Sequence, residues 1–318
     1  MTGITAIRVA GTATARGLVV ALCAALALVG CSSGSAASAS GASTASMTPA
    51  AVTSAPVRTV RTADGTVGYR WFGTGPALVL ITGYGASIDS WDPTLLALLA
   101  RSHRVVVPDN AGVGKTSPLP GPLSIDAMAQ QASAFITALG LGKPAVLGWS
   151  MGGMIAQALA VLHPAQVSRL VLAATQAGNG KAQPVPTTAA AALSSGNGEA
   201  ILSVLFPHDQ AAAARTYARS ISAYPGYYQA PKSAEAAQSA AIAQWFAGKD
   251  PAGPRVSKLT IPTLVADGSQ DALDPAANDR QLAALIPDAT LRLYPDAGHA
   301  FLMQDETEFA AQVAAFTK

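Results

Sequence analysis

Ala145-Val-Leu-Gly-Trp-Ser-Met-Gly-Gly-Met154 is the stretch that decides how this chain is read. Apolar residues of buried-strand character run straight into a helix, and a serine stands at the bend. Gly148, Ser150 and Gly152 form G-x-S-x-G, the pattern of a strained strand-to-helix turn whose backbone packs too closely for side chains two positions before and after the serine. The bend lifts the hydroxyl off the sheet and marks Ser150 as a nucleophile. The N–H of Met151, at the start of the helix, points toward an oxygen that becomes negative in the transition state, which makes it half of an oxyanion hole.

Working outward, strands and helices alternate. Val57 to Phe72 reads as a hairpin turning at Ala63-Asp-Gly65, and Pro76-Ala-Leu-Val-Leu-Ile81 as a buried strand ending at Thr82-Gly-Tyr-Gly85. A helix covers Pro93 to Arg101, followed by the strand His103 to Pro108 and a Gly-rich turn from Asp109 to Ser117. Met128, Phe135, Ile136 and Leu139 give Ser124–Gly140 helical spacing, and a second helix runs from Met151 to Leu162, stopping at His163-Pro164. Further strands are Ser168–Ala173, Thr260–Ala266 and Ala289–Tyr294, and an amphipathic helix over Thr307–Phe316 closes the chain. Such alternation predicts a parallel, doubly wound α/β sheet. Between the strands the character changes: residues 178–257 are Ala-rich, helical and broken by Pro184, Pro186, Pro207, Pro225 and Pro231, and read as an inserted cap. One core therefore joins residues 57–177 and 258–318.

A serine hydroxyl attacks only when a neighbouring base takes its proton, and a third group must hold that base in the right tautomer. Of the four histidines, His103 begins a strand, His163 ends a helix before proline, and His208 lies in the cap. His299 remains, in the Gly-flanked loop Asp296-Ala-Gly-His-Ala after the last strand. For the acid, the loop after Ala266 offers Asp267, Asp271 and Asp274; Asp271 is far enough past the strand to reach the histidine loop, with Asp274 as the fallback. The second oxyanion donor is the main-chain N–H of Tyr84, between Gly83 and Gly85. Trp149, Tyr227 and Trp245 are the aromatic residues read as lining a substrate pocket. Gly112-Val-Gly-Lys-Thr116 looks like the end of a phosphate-binding loop, but Asp109 stands where that loop needs glycine, and its charge would repel phosphate.

Composition narrows the partners. The chain has 318 residues, 50% hydrophobic and 12% charged, with a formal charge of +2 and no basic run, which excludes a nucleic-acid footprint and points to a small-molecule partner. Both cysteines, Cys23 and Cys31, lie in the first tenth of the chain, leaving no pair for a disulfide and no Cys/His cluster for a structural metal. Arg8 and Arg16 followed by the apolar run Gly17–Val29 have the order of a secretory signal over residues 1–30. Leu28-Val-Gly-Cys31 resembles the lipobox of bacterial lipoproteins, which implies lipidation at Cys31 and a membrane anchor on the outer face of the cytoplasmic membrane. Residues 31–56, rich in Ser, Ala, Gly and Thr, then form a flexible tether.

Val107-Pro-Asp-Asn-Ala-Gly-Val-Gly114, Gly148-Trp-Ser-Met-Gly-Gly153, Gly268-Ser-Gln-Asp271 and Gly298-His299, in that chain order, resemble the α/β-hydrolase family. The resemblance implies an eight-stranded, mostly parallel sheet with a helical cap after the sixth strand, and a triad of Ser150, Asp271 and His299 that needs no cofactor and no metal. Many members have His-Gly where this chain has Thr82-Gly83, and arginine where it has Ala111. The expected reaction is hydrolysis of a small or apolar carboxylic ester through an acyl-enzyme. The alternatives are a cofactor-free haloperoxidase or perhydrolase on the same triad, and a lipid-anchored binding protein that kept the fold without turnover. Nothing in the sequence addresses oligomeric state.

Overall fold

The computed structural model describes residues 47–318. The signal segment 1–30, Cys31 and most of the expected tether lie outside the described residues. Eight strands form one sheet: β1 (Arg58–Thr62), β2 (Gly65–Phe72), β3 (Ala77–Ile81), β4 (Arg104–Pro108), β5 (Ala145–Trp149), β6 (Leu170–Ala173), β7 (Thr263–Gly268) and β8 (Thr290–Tyr294). Their spatial order is β1-β2-β4-β3-β5-β6-β7-β8. The pairs β1·β2 and β2·β4 are antiparallel, and every later pair is parallel. The mostly parallel sheet expected from the alternating pattern is therefore observed, and its hairpin turns where Asp64-Gly65 was read.

Parallel strands covered on both faces must be apolar throughout, and the inner strands are. Leu78, Leu80, Val105, Val107 and Leu147 pack to one side, against the helix Pro93–Leu99 and the C-terminal helix Glu306–Phe316. Val79, Ile81, Val106 and Val146 pack to the other, against the helices Ile125–Ala138 and Met151–Leu162. Successive residues alternate between these layers because the side-chain period of a strand is two. The strand read as Thr260–Ala266 begins at Thr263 and continues to Gly268. Pro262 has no N–H for the ladder, so pairing starts beyond it.

The expected tether is corrected at its C-terminal end. Pro49–Ser54 is a helix, capped by Thr48, whose hydroxyl accepts from Ala51 N at 3.2 Å, with proline at its first position. Val52 is fully buried in the layer of the Pro93–Leu99 helix. One apolar side chain in a run of small residues has no periodicity to betray it, and burial alone holds this turn down.

Between β6 and β7 lie four helices, Thr187–Ser194, Gly198–Leu205, Ala211–Ser222 and Lys232–Phe246, and no strand. This helical insertion matches the cap read over residues 178–257. It is pinned to the loop at Ser87–Trp91 through hydroxyls and carbonyls: Tyr217 Oη donates to Ser90 O (2.8 Å), Tyr224 Oη to Trp91 O (3.1 Å), and Ser87 Oγ to Tyr228 O (2.6 Å). Tyr224 also stacks under Arg70, which forms a buried 2.9 Å ion pair with Asp89.

Candidate active site

The C-terminal ends of β5, β7 and β8 open toward the cap, and each carries one residue of the expected triad. At the first, Ser150 has φ 58° and ψ −123°, a conformation that a non-glycine residue adopts only where the surroundings enforce it. Enforcement is visible. Ser150 N donates to Ala173 O on β6 at 2.8 Å, and Gly153 N returns to Ser150 O at 2.8 Å. A Cβ on Gly148 would collide with the carbonyl of Gly152, and one on Gly152 with the carbonyl of Ile81. The crossing of strand and helix therefore tolerates glycine alone at both places.

Asp271 and His299 meet as expected. His299 Nδ1 lies 2.6 Å from Asp271 Oδ2, with both side chains buried. Asp271 Oδ1 accepts from the N–H groups of Leu273 (2.6 Å) and Asp274 (2.9 Å), so one oxygen anchors the carboxylate to its own loop while the other orients the imidazole. Burial disfavours the His299 imidazolium, but the charge of Asp271, its hydrogen bond and the charge of Asp274 outweigh burial, and the net pKa is raised above the usual 6.5. The side-chain hydrogen bonds among the described residues include no bond from the Ser150 hydroxyl. Ser150 and His299 instead face the same two cavities.

The loop carrying Tyr84 lies against the elbow: a Cβ on Gly83 would be 3.2 Å from Ser150 Cβ. Asn110 Nδ2 donates to Thr82 O (3.0 Å) and Thr82 Oγ1 (3.1 Å), and Gly85 N donates to Gln238 Oε1 in the cap (2.9 Å). At Thr82, where the sequence departs from the family it resembles, that asparagine holds the loop. Met151 is the first residue of its helix, so its N–H has no acceptor within the helix.

The other predicted residues divide. Trp149 lines a cavity and also donates from Nε1 to His299 O at 3.0 Å, its ring 5.9 Å from the imidazole, so it positions the base as well. Tyr227 lines the same cavity. Trp245 is a correction: it is fully buried, packs on Gly178, donates to Gln176 O at 3.2 Å, and borders neither cavity. Its neighbour Phe246 does, because consecutive helical residues point about 100° apart. The three unused histidines are structural or remote: His103 bonds Ser102 and Thr317, His163 bonds Gln130, and His208 sits in a short turn of the cap. The Gly112–Thr116 segment is the turn leaving β4, with Thr116 Oγ1 donating to Asp109 O. Asp109 itself accepts from Ile88 N and Tyr228 Oη, and burial raises its pKa to about 7.

The sequence reading missed the company that Asp274 keeps. Asp267, Asp274 and Asp279 are buried with carboxylate oxygens within 4.8 Å of one another, close enough to share a hard cation. Protonation relieves the same crowding. Burial first, then the charges of neighbouring aspartates, raises all three, Asp274 to about 7 and the others well above the carboxylate range. Asp279 is a full helix turn into Ala276–Leu285, and only the fold brings it to β7.

Two cavities meet at the nucleophile. One, of about 300 Å3, runs beneath the cap helices past Leu202, Leu205 and Ile221; the other, of about 260 Å3, runs past Met154, Ile242, Ala243 and Phe246. Tyr84, Ser150, Leu193 and His299 belong to both.

Comparison with known proteins agrees with this geometry. The family model described as alpha/beta hydrolase fold matches residues 76–306. The provisionally named carbamate hydrolase RutD of Caulobacter sp. (strain K31) is 30% identical over 261 residues, covering 76% of this chain and 92% of the relative. The 2-hydroxymuconate semialdehyde hydrolase of Pseudomonas sp. (strain CF600) is 29% identical over 256 residues, covering 77% and 87%. Among solved structures, an alpha/beta hydrolase fold protein from Chitinophaga pinensis superposes with a TM-score of 0.73 at 27% identity, over 83% of this chain and 98% of that one. The chain belongs to the α/β-hydrolase family.

Proposed function

We propose that the chain is an extracytoplasmic serine hydrolase that cleaves carboxylic esters with apolar groups on both sides of the reacting carbonyl. The observation that carries this reading is the pair of largely apolar cavities that join at Ser150. An ester has two arms diverging from its carbonyl carbon, and a nucleophile placed where two cavities meet accepts one arm in each. An unsubstituted carbamate is small and polar and leaves such lobes unfilled, so the cavities favour a two-armed ester over it.

In the proposed reaction Ser150 Oγ attacks the carbonyl carbon while His299 takes its proton, and the oxyanion is held by the N–H groups of Tyr84 and Met151. Each such donor is worth roughly a hundred- to a thousandfold in rate. Collapse of the adduct breaks the bond to the alkoxide, which takes the proton from His299. Water, deprotonated by the same imidazole, then attacks the acyl-enzyme and restores the serine. Asp271 keeps His299 in the tautomer with Nδ1–H and stabilises the imidazolium.

Hydrolysis of nitrophenyl esters with matched acyl chains tests the assignment. Ser150→Ala lowers kcat by about 10^6-fold, and a fluorophosphonate labels the native protein at Ser150. Equal, slow hydrolysis by both proteins with no label on the serine overturns the enzyme reading, and turnover that requires peroxide replaces hydrolysis with the perhydrolase reaction. The proposed placement outside the cytoplasm has a separate test: mass spectrometry of membrane-extracted protein finds a diacylglyceryl group on Cys31 or refutes the anchor.

A further inference from the structure

The opposite edge of the sheet carries a feature that catalysis does not use. Trp71 is the sole large hydrophobic side chain exposed among the described residues, at 39% of its surface, whereas Trp91, Trp149 and Trp245 are buried. It lies at the end of β2, between two arginines on the adjoining strands. Tyr69 pairs with Arg58 across β1·β2, and Trp71 pairs with Val106 across β2·β4, which puts Arg58, Tyr69, Trp71 and Arg104 on one face of the sheet. The Arg58 guanidinium stands 5.4 Å and that of Arg104 5.6 Å from the Trp71 ring centroid. On the same face Tyr69 packs edge-on against both Trp71 and Phe135, so the row passes from the covered core out to the surface.

Charge around this corner is of one sign. Residues 56–58, 69–76, 98–106 and 140–146 surround Trp71 and the N-terminal ends of β3, β4 and β5 and contain no Asp or Glu. They expose Arg58, Arg101, Arg104 and Lys143, none of which is in an ion pair with a described residue. No run of basic residues exists in the sequence; the sheet assembles the patch from four separated segments.

We propose that this corner is a docking surface for an anionic lipid bilayer, with Trp71 at the level of the headgroups and the arginines on lipid phosphates. Indole has an apolar body and a polar N–H and favours that interface, and guanidinium groups bind phosphate oxygens through paired hydrogen bonds. The chain that leads into this corner supports lipid over other polyanions. Arg58 follows the described start of the chain at Met47 by only eleven residues, and the undescribed segment before it contains the apolar run Gly17–Val29 and Cys31. This rests on the lipid anchor proposed above: a basic surface that carries an indole, a short stretch of chain from the N-terminal segment, suits the membrane that would hold that segment. Ser150, Asp271 and His299 lie at the far ends of the strands, so this orientation turns the cavities toward water and assigns the enzyme a substrate that arrives from the aqueous side.

Tryptophan fluorescence of the full chain tests this, because three of the four tryptophans are buried. On phosphatidylcholine vesicles containing phosphatidylglycerol at low salt, brominated acyl chains quench a component of the emission that is absent in Trp71→Phe, and acrylamide loses access to it. Arg58→Gln and Arg104→Gln each weaken partition by about fivefold, and added salt reverses binding. The far-off Ser150 keeps its fluorophosphonate labelling in all three variants, which certifies their fold; should a variant lose it, the quenching of the native chain decides alone. Continued acrylamide access to Trp71 on anionic vesicles overturns the proposal, as does equal protection on neutral vesicles, or protection by RNA but not by vesicles. Insertion of the N-terminal apolar run alone leaves Trp71 exposed and insensitive to both arginines, so that outcome too is distinguished.

Discussion

The catalytic floor and the cap that covers it are held by different means. The floor is built from main chain: Ser150 is locked at positive φ by bonds to β6 and its own helix, and Gly148 and Gly152 touch neighbouring carbonyls where no side chain fits. The cap is held largely by side chains, through the hydroxyls of Tyr217 and Tyr224 and the indole N–H of Trp245, all donating to carbonyls elsewhere, beside main-chain bonds such as Ala230 N to Gly85 O and Ala300 N to Leu205 O. A floor fixed by backbone geometry leaves little freedom at its key positions, whereas cap residues that merely line a lobe are replaceable. In the proposed reaction the chemistry resides in this rigid floor and substrate choice in the side chains of the cap lobes.

The sharpest test of the floor is Asp271→Asn. The amide keeps the shape but no longer fixes the tautomer of His299, and kcat falls by about 10^4-fold. In the native protein the acid limb of kcat/KM lies above pH 6.5, since His299 must be neutral to act as a base and its pKa is raised. Removing the Asp271 charge moves the limb of the residual activity downward, and a limb that stays in place breaks the assigned pairing. Next in size is Gly152→Ala, whose methyl group collides with the Ile81 carbonyl. The variant loses about 1–3 kcal/mol or more in denaturant unfolding, together with Ser150 labelling.

Effects in the cap are smaller and selective. Ala243→Phe fills the lobe beside Met154 and Phe246. It lowers kcat/KM about ten- to hundredfold for esters whose long arm occupies that lobe, and spares esters enlarged only on the other arm. A uniform loss across both ester series refutes the two-lobe reading.

The smallest effect concerns stability beneath the floor. Asp279 holds a proton in the folded protein that the unfolded chain releases above about pH 4, so its contribution is full below that value and is lost as pH rises toward the folded pKa. Asp279→Asn therefore raises the melting temperature by a few degrees near pH 8 and leaves it unchanged near pH 4. An equal shift at both pH values rules out the charge origin.

Where sequence reading succeeded, the signal was local. The elbow, the Gly-flanked histidine and the strand ends could be read because backbone crowding demands glycine at set distances from the reacting residue. Asp271 emerged from three nearby aspartates because reach, counted along the loop, separates them. Trp245 and Phe246 are adjacent and similarly apolar, yet one is cap core and the other lines a lobe; helix rotation about its axis decides that, and no residue announces it. Asp279 joined Asp267 and Asp274, and Arg58 joined Arg104 around Trp71, through contacts between distant segments, where spacing along the chain carries no information.

The sequence by itself determined the order of strands and helices along the chain and singled out Ser150, Asp271 and His299 as candidates at three strand ends. Each follows from periodicity or from short-range steric demands, which act between residues a few positions apart. Only the tertiary structure decided how two cavities meet at Ser150, which aromatic rings face them, how three carboxyls came to share one buried space, and that dispersed arginines gather on a single corner. Those depend on the twist and packing of layers over long loops, and there the same local patterns are compatible with many arrangements until the core closes.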